Sequence, residues 1–141
     1  QMCIRDRYYD EYKQKEISSD VKLYDFLDDI ALAYSVSDFI ISRAGASSVS
    51  ELSIVGKPVI FIPSPNVAED HQLKNAMAVV KNEGALLVEE QNIDDLKKRI
   101  SELNSSSELR NKLSKNIKKT AYANATIDIV NEIKNLMKRW I

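Results

Sequence analysis

The residues best suited to chemistry form a turn of small side chains, residues 42–48 (SRAGASS), which follows an apolar run and opens a helical segment. Gly45 permits a backbone conformation that other residues resist, and its small neighbours let a ligand approach the main chain. The first N–H groups of a helix lack partners within it, and the helix dipole adds partial positive charge there. Phosphate is a natural ligand of such a helix start. The alternative is a serine-capped turn without a ligand, and the turn by itself favours neither.

Glu51 lies three residues after Ser48, and this spacing has two interpretations. In a capping box, the Glu51 carboxylate reaches back to the N–H of Ser48. In the other interpretation, Glu51 lies at the mouth of a binding site, where an ionised carboxylate accepts strong hydrogen bonds from two adjacent sugar hydroxyls. The ribose of a nucleotide carries such a hydroxyl pair next to its phosphates.

A second loop and the helix after it, residues 63–75, carry uncharged hydrogen-bonding side chains. Two prolines stiffen the loop, and Asp70 is a candidate cap for the following helix. His71, Gln72 and Asn75 occupy the first turns of that helix. Although a lone histidine is more often structural, the three side chains together favour a site for sugar hydroxyls.

Three continuous apolar runs predict strands that are buried on both faces, a habit of parallel sheets. These runs are residues 39–41, 59–62 and 85–88, with helices predicted between them over 48–55 and 70–82. Gly56 and Gly84 supply the left-handed caps that end the two helices. The pattern predicts an α/β fold, a doubly wound, Rossmann-like parallel sheet with flanking helices. Ligands of such sheets bind outside the carboxyl ends of the strands, where both loops lie.

Periodicity predicts the remaining elements. They are a helix over 8–17, a strand over 21–26, and helices over 93–103, 107–122 and 126–140. Ser106 or Ser107 and Thr126 are candidate helix N-caps.

Length and composition limit the function. A chain of 141 residues is one domain, and we interpret residues 1–7 as a foreign or misassembled leader before a domain over 8–141. Three glycines exclude a complete P-loop or dinucleotide fingerprint. The single cysteine, Cys3, excludes an internal disulfide. No apolar run is long enough to span a bilayer, and no secretory leader is recognisable, so we expect a cytosolic location.

The charge is uneven along the chain. Residues 97–141 hold eleven Lys and Arg against four Asp and Glu. Such an excess attracts anionic lipid, but a solvated helical face is the favoured interpretation. Nucleic acid is not expected as a partner, because only Tyr122 and Trp140 could stack on bases in this segment.

Two segments closely resemble the donor-site motifs of the MurG family: residues 38–52 (DFIISRAGASSVSEL) and residues 56–63 (GKPVIFIP), the latter followed by DHQ at 70–72 and NA at 75–76. The resemblance covers residues 8–141. It implies most of the C-terminal, donor-binding domain of a two-domain GT-B glycosyltransferase. Such enzymes transfer N-acetylglucosamine (GlcNAc) from UDP-GlcNAc to undecaprenyl-diphosphate-muramoyl-pentapeptide (lipid I), with inversion. The product is lipid II, a precursor of peptidoglycan, and the enzymes act as peripheral proteins at the cytoplasmic face of the bacterial plasma membrane.

The resemblance also implies roles for residues. Leu27 offers its backbone to the uracil, backbone amides over 46–48 face the diphosphate, and Glu51 holds the ribose hydroxyls. Gln72, with His71 beside it, binds GlcNAc hydroxyls, while Asn75 supports the site. The expected substrate-binding residues are Leu27, Arg43, Gly45, Ala46, Ser47, Ser48, Val49, Ser50, Glu51, His71, Gln72 and Asn75.

We expect neither a metal nor another cofactor. Departure of UDP develops negative charge, which N–H groups at a helix start stabilise without a metal. The chain has no D-x-D motif, and the pairs Asp28-Asp29 and Asp94-Asp95 are adjacent residues whose side chains diverge.

The chain departs from the family pattern in one loop and in extent. A second glycine-rich loop of the family (G-G-S-x-G) is missing, as is the N-terminal domain that binds the lipid acceptor and is expected to supply the general base. No catalytic residue is assigned within this chain, and we expect it to be inactive alone.

Two other classes of function remain open. One is a non-catalytic donor-binding subunit of a split GlcNAc transferase. The other is a different GT-B enzyme, such as a diacylglycerol glycosyltransferase or a nucleotide-sugar epimerase, although the DHQ segment favours GlcNAc over galactose. An interaction module without a ligand is the least favoured interpretation.

Overall fold

The computed structural model describes residues 9–15, 18–65 and 70–138. Its contacts divide the chain into an N-terminal unit, residues 1–36, and a C-terminal unit, residues 37–141. The proposed leader, residues 1–7, lies outside the described residues.

The N-terminal unit contains two short helices, α1 (Tyr9–Lys13) and α2 (Ile30–Val36), neither with a buried residue. The strand predicted over 21–26 is wrong, since these residues are exposed and form no strand. A strand needs a neighbour for its N–H and C=O groups, and no described segment pairs with this one. Helix α2 was not predicted, although Asp29 signals its start by accepting the Leu32 N–H at 2.8 Å.

The C-terminal unit is built on a parallel sheet, as predicted, and its three strands lie in the order β1-β2-β3. The strands are β1 (Ile40–Ser42), β2 (Val59–Phe61) and β3 (Leu86–Leu87). Ile41 pairs with Ile60, and Ile60 with Leu86. Only the central strand β2 is buried throughout, because β1 and β3 each have one neighbour.

Helix α3 (Ala46–Val55) connects β1 to β2, and α4 (His71–Val80) connects β2 to β3. Gly56 ends α3 as predicted. It has the left-handed conformation, with φ 70°, and its N–H donates a hydrogen bond to Leu52 O. After α4 the left-handed residue is Glu83, with φ 51°, and not Gly84. Gly84 is needed for close packing instead, because an added Cβ would lie 3.0 Å from the Ile117 backbone.

Three helices follow the sheet: α5 (Ile93–Ser105), α6 (Ser107–Lys118) and α7 (Ala125–Lys138). The predicted cap at Ser106 is confirmed, since its hydroxyl accepts the Leu109 N–H at 3.1 Å. Thr126 is not an N-cap, because α7 already begins at Ala125. Residues 139–141, which the predicted last helix included in part, lie outside the described residues.

The main core cluster joins the sheet to α5 and α6 through Ile60, Val88, Leu103 and Leu113, all nearly fully buried. The apolar faces of α5 and α6 pack against the strands, as the amphipathic pattern of both helices requires. No residue of α7 is buried. None of the described helices combines the length and apolar character needed to cross a membrane.

Candidate functional site

The turn after β1 leads directly into α3 at the carboxyl edge of the sheet. Gly45 is the N-cap residue, and the first helical hydrogen bond runs from the Val49 N–H to Gly45 O at 2.9 Å. The N–H groups of Ala46, Ser47 and Ser48 come before that bond and have no acceptor within the helix. Three amide donors therefore lie together at the positive end of the α3 dipole, which is an arrangement suited to an anion.

Gly45 has an ordinary extended backbone, with φ −61° and ψ 151°. The expectation that its conformation excludes other residues is therefore wrong. An added Cβ would meet only the Ser48 hydroxyl, at 3.6 Å, which is normal van der Waals contact. What Gly45 contributes is open space in front of the amides.

The capping-box interpretation of Glu51 is not supported by the geometry. Helix α3 begins at Ala46, two residues earlier than predicted, and has no side-chain cap. Ser48 therefore lies inside the helix, and the Glu51 carboxylate is exposed without a hydrogen bond or ion pair to the described residues. Its acceptor capacity remains available to a ligand.

Two neighbours of Glu51 are engaged within the helix. The Val49 N–H donates to Gly45 O, and the Ser50 hydroxyl donates to Ala46 O at 3.0 Å. Both donors therefore already have an acceptor within the chain.

Helix α4 reaches the same edge through two side-chain hydrogen bonds. Asn75 Nδ2 donates to Ala44 O at 3.1 Å, which joins α4 to the turn before α3. Gln72 Oε1 accepts the Ser64 N–H at 2.9 Å, which holds the second loop and leaves the Gln72 amide group as a donor. His71 is the exposed first residue of α4.

Asp70 does not cap α4 with its side chain. It occupies the N-cap position in the left-handed conformation, with φ 53°, and makes no side-chain cap hydrogen bond. The predicted cap is therefore wrong in its chemistry, although its position is right.

Arg43 forms an ion pair that the sequence did not reveal. Its guanidinium donates to both Glu90 oxygens, at 3.0 and 2.9 Å, and to Ile62 O at 3.2 Å. The hydrogen bonds from Arg43 hold the pKa of the Glu90 carboxyl below its ordinary value. The available signal was the position of Glu90 shortly after β3, at the same edge where Arg43 follows β1.

The carboxyl edge therefore joins the Gly45 turn, the second loop, the start of α4 and the segment after β3. A cavity of about 330 Å³ lies beside the Arg43–Glu90 pair, lined also by Ile41, Ser42 and Val88. A larger cavity of about 600 Å³ lies elsewhere, between α3 and α4, with Ser53 and Tyr122 in its lining. Leu27 belongs to the N-terminal unit, so its role as a uracil contact stays a prediction.

Charge elsewhere in the described chain gives no second site. No group of three or more His, Cys, Asp or Glu side chains converges as a metal site within residues 9–15, 18–65 and 70–138. Several cations of the basic segment have local partners: Arg99 pairs with Glu102 at 3.1 Å and Lys112 with Glu83 at 2.9 Å. These pairs support the interpretation of the segment as a solvated helical face.

The fold and this edge define a parallel α/β domain with a candidate ligand site at the carboxyl ends of its strands. The model of the glycosyltransferase family 28 C-terminal domain matches residues 3–131. The chain belongs to this family.

Two curated relatives have the same name, UDP-N-acetylglucosamine--N-acetylmuramyl-(pentapeptide) pyrophosphoryl-undecaprenol N-acetylglucosamine transferase. The protein from Flavobacterium psychrophilum is 52% identical over 133 residues, 93% of this chain and 36% of the relative. The protein from Christiangramia forsetii is 49% identical over 134 residues, 92% of this chain and 36% of the relative. The chain thus spans about a third of the length of these relatives.

A solved structure supports the same assignment. The crystal structure of Acinetobacter baumannii MurG matches 78% of this chain and 32% of its own chain, with a TM-score of 0.71 and 29% sequence identity. The predicted α/β fold and the resemblance to the MurG family are both confirmed.

Proposed function

We propose that this chain is the donor-binding part of an inverting glycosyltransferase that transfers GlcNAc from UDP-GlcNAc to lipid I and forms lipid II. The name shared by the relatives describes this reaction. Because the chain spans about a third of their length, the acceptor site and the general base are assigned to the remainder of the enzyme.

The observation that carries the proposal is the pairing of three amide donors at the start of α3 with the unengaged Glu51 carboxylate. The amides of Ala46, Ser47 and Ser48 hold the diphosphate at the positive end of the helix. Glu51, in the second turn of α3, accepts hydrogen bonds from the two ribose hydroxyls. Phosphate and ribose are adjacent in a nucleotide, as are these groups in the helix.

The second loop and α4 supply the sugar end of the site. Gln72 is held by Ser64 through its oxygen, and we assign its amide donor to a GlcNAc hydroxyl, with His71 beside it. Asn75 supports the site, because its bond to Ala44 O fixes the backbone next to Gly45. Leu27 is retained in the proposal as the backbone partner of the uracil.

The same amides contribute to the chemical step. As the glycosidic bond breaks, negative charge develops on the departing diphosphate. N–H groups that already point at this charge stabilise it without reorganising, and removal of one such donor typically costs about 3–4 kcal/mol of barrier. No metal is needed in this scheme, and none is proposed.

The cell-wall assignment places the enzyme at the cytoplasmic face of the plasma membrane as a peripheral protein. Its partners are then the UDP-GlcNAc donor, the lipid-linked muramoyl-pentapeptide and an anionic membrane surface, without nucleic acid. Because some cations of the C-terminal segment, Arg99 and Lys112 among them, are paired locally, the main membrane contact is assigned to the part of the enzyme outside this chain.

The test uses the complete natural protein that carries this domain. UDP binding is measured by calorimetry, and GlcNAc transfer to a soluble lipid I analogue is measured with UDP-GlcNAc, UDP-GalNAc and UDP-glucose. We expect UDP binding and preferential use of UDP-GlcNAc. Binding of UDP with transfer to a different acceptor would favour another GT-B enzyme, and absence of UDP binding would refute the proposal.

A Glu51→Gln variant tests the site itself. It should bind UDP more weakly, because one charged acceptor is lost. Glu108→Gln is the matched control, since Glu108 is also an exposed helical glutamate but lies on α6. Equal effects of the two substitutions would contradict the assignment of Glu51.

A further inference from the structure

The Arg43–Glu90 pair connects the ends of all three strands. Arg43 follows β1 directly, Ile62 follows β2 and Glu90 lies shortly after β3. The guanidinium donates to Ile62 O and to both oxygens of Glu90. One side chain therefore bridges the outer strands across the carboxyl end of the central strand.

The Arg43–Glu90 pair has a fixed relative orientation of its two charged groups. A guanidinium is planar, and its two parallel N–H groups match the two oxygens of a carboxylate. Lysine cannot reproduce this geometry, because its ammonium acts as a point charge. The lowered pKa of Glu90 means that the carboxylate stays ionised at neutral pH, so both contacts persist there.

The bridge lies next to the backbone that precedes α3. Arg43 is two residues before Gly45, and Ala44 between them is buried and held by Asn75. Ile62 lies two residues before Ser64, whose N–H is held by Gln72. The α3 amides thus follow the backbone of Arg43 itself, and the Ser64 N–H that holds Gln72 lies two residues after the carbonyl that Arg43 contacts.

The pair is poorly placed to stabilise the fold. The side chains of Arg43 and Glu90 are 50% and 44% exposed, and exposed ion pairs contribute little to folding because water screens them. The half-exposed guanidinium contacts the ends of all three strands. It is therefore better suited to fixing the local geometry of these ends than to stabilising the whole domain.

We propose that Arg43 and Glu90 are a positioning pair that sets the backbone of the phosphate-binding turn, and that Arg43 acts through Glu90 without contacting the donor. This inference rests on the proposed function. It replaces the expectation that Arg43 binds substrate directly.

Glu90→Gln separates positioning from direct contact, because the two roles predict opposite changes in UDP affinity. If Arg43 contacted the diphosphate, Glu90 would compete for it, and Glu90→Gln would strengthen UDP binding. If the pair positions the turn, Glu90→Gln weakens UDP binding. We expect a loss of about tenfold, below the roughly 100-fold that a 1 Å misplacement can cost. Arg43→Lys should give a similar loss, although it keeps the positive charge.

The exchange variant Arg43→Glu with Glu90→Arg provides the rescue test. It restores the ion pair with its direction reversed, so UDP affinity should recover relative to Arg43→Glu alone. A direct phosphate contact would not recover, because a carboxylate would then lie beside the diphosphate. Lys112→Gln is the matched control, since it removes an exposed ion pair with Glu83 away from this edge.

All variants are made in the complete protein, with Tm, UDP affinity by calorimetry and amide hydrogen exchange at Val49 and Ser64 measured together, since these two N–H groups bond to Gly45 O and to Gln72 Oε1. We expect faster exchange at Val49 and Ser64 in Glu90→Gln without UDP, at nearly unchanged Tm. Stronger UDP binding by Glu90→Gln, failure of the exchange variant to recover, or a loss of affinity that only follows Tm would each overturn the positioning role. Absence of UDP binding by the wild-type protein would instead refute the proposed function, whereas the hydrogen-exchange result reports on positioning without UDP.

Discussion

Gly45→Ala tests whether a ligand approaches the main chain at the start of α3. The backbone at Gly45, with φ −61°, suits alanine, and the new methyl would meet only the Ser48 hydroxyl at 3.6 Å. The fold therefore has room for the substitution, but the new methyl group would occupy the space in front of the α3 amides.

The expected change in folding stability is close to zero. Replacing glycine where the conformation is compatible stabilises a protein by about 0.4–1 kcal/mol, since the unfolded chain loses entropy. Alanine is a poorer N-cap than glycine, which costs up to about 1 kcal/mol. Because the two contributions oppose each other and leave at most about 1 kcal/mol, Tm should change by less than about 4 °C, at roughly 2–4 °C per kcal/mol.

The expected change in donor binding is much larger. A methyl group forced into a closely packed contact costs about 1–3 kcal/mol, which corresponds to about a five- to 150-fold loss of UDP affinity. Calorimetry with UDP and thermal unfolding of the same protein samples measure the two quantities side by side.

Gly56→Ala is the control with the opposite pattern. Gly56 has φ 70°, and a Cβ there would overlap the Lys118 side chain. The left-handed conformation costs alanine about 1–2 kcal/mol, so Tm should fall. UDP affinity should not change, because the ten residues of α3 separate Gly56 from the amides by about 15 Å. Unchanged UDP affinity in Gly45→Ala would refute the close approach of the ligand to the main chain. A fall in Tm as large as that of Gly56→Ala would show that Gly45 is required for the fold.

Three further predictions concern the same edge. Glu51→Ala should weaken donor binding by about 1.5–3 kcal/mol, the value of a hydrogen bond to a charged group. Tm should not change, because the carboxylate has no partner among the described residues. A fall in Tm with unaltered UDP-GlcNAc kinetics would contradict this. Gln72→Glu keeps an acceptor for the Ser64 N–H but removes the amide donor, so the preference for UDP-GlcNAc over UDP-glucose and UDP-GalNAc should decrease; an unchanged donor profile would remove Gln72 from the sugar site. In Arg43→Gln the pKa of Glu90 should rise towards its ordinary value, measured by NMR titration of the carboxyl carbon, because the pair lowers it. A lowered pKa means that the contribution of the pair to stability, which is small because both side chains are half-exposed, is present at neutral pH and is lost as the pH falls through the Glu90 pKa. The small Tm difference between wild type and Arg43→Gln at neutral pH should therefore vanish in acid.

The site was partly predictable because some of its information is local. The turn at Gly45 could be located from seven consecutive residues, since small side chains between an apolar run and a helix are a contiguous pattern. The start of α3 was misplaced by two residues, and this error kept the capping-box interpretation of Glu51 open. Helix ends depend on which backbone groups find partners, so composition defines them less well than it defines the helix.

Edge segments were the least predictable part of the fold. Residues 21–26 alternate like a strand, but no described strand pairs with them. Residues 30–36 form α2 although their sequence was not recognised as helical. In both cases few buried contacts reinforce the local preference, so the sequence pattern is a weak guide to the structure.

The sequence by itself determined the alternation of strands and helices, the parallel sheet and the family, because apolar periodicity and contiguous motifs are properties of neighbouring residues. Only the tertiary structure decided how the edge is held together. Arg43 and Glu90 are 47 positions apart, and Asn75 and Ala44 are 31 apart. Contacts at such separations exist only once parallel strands bring their carboxyl ends to one edge, and no local pattern encodes them.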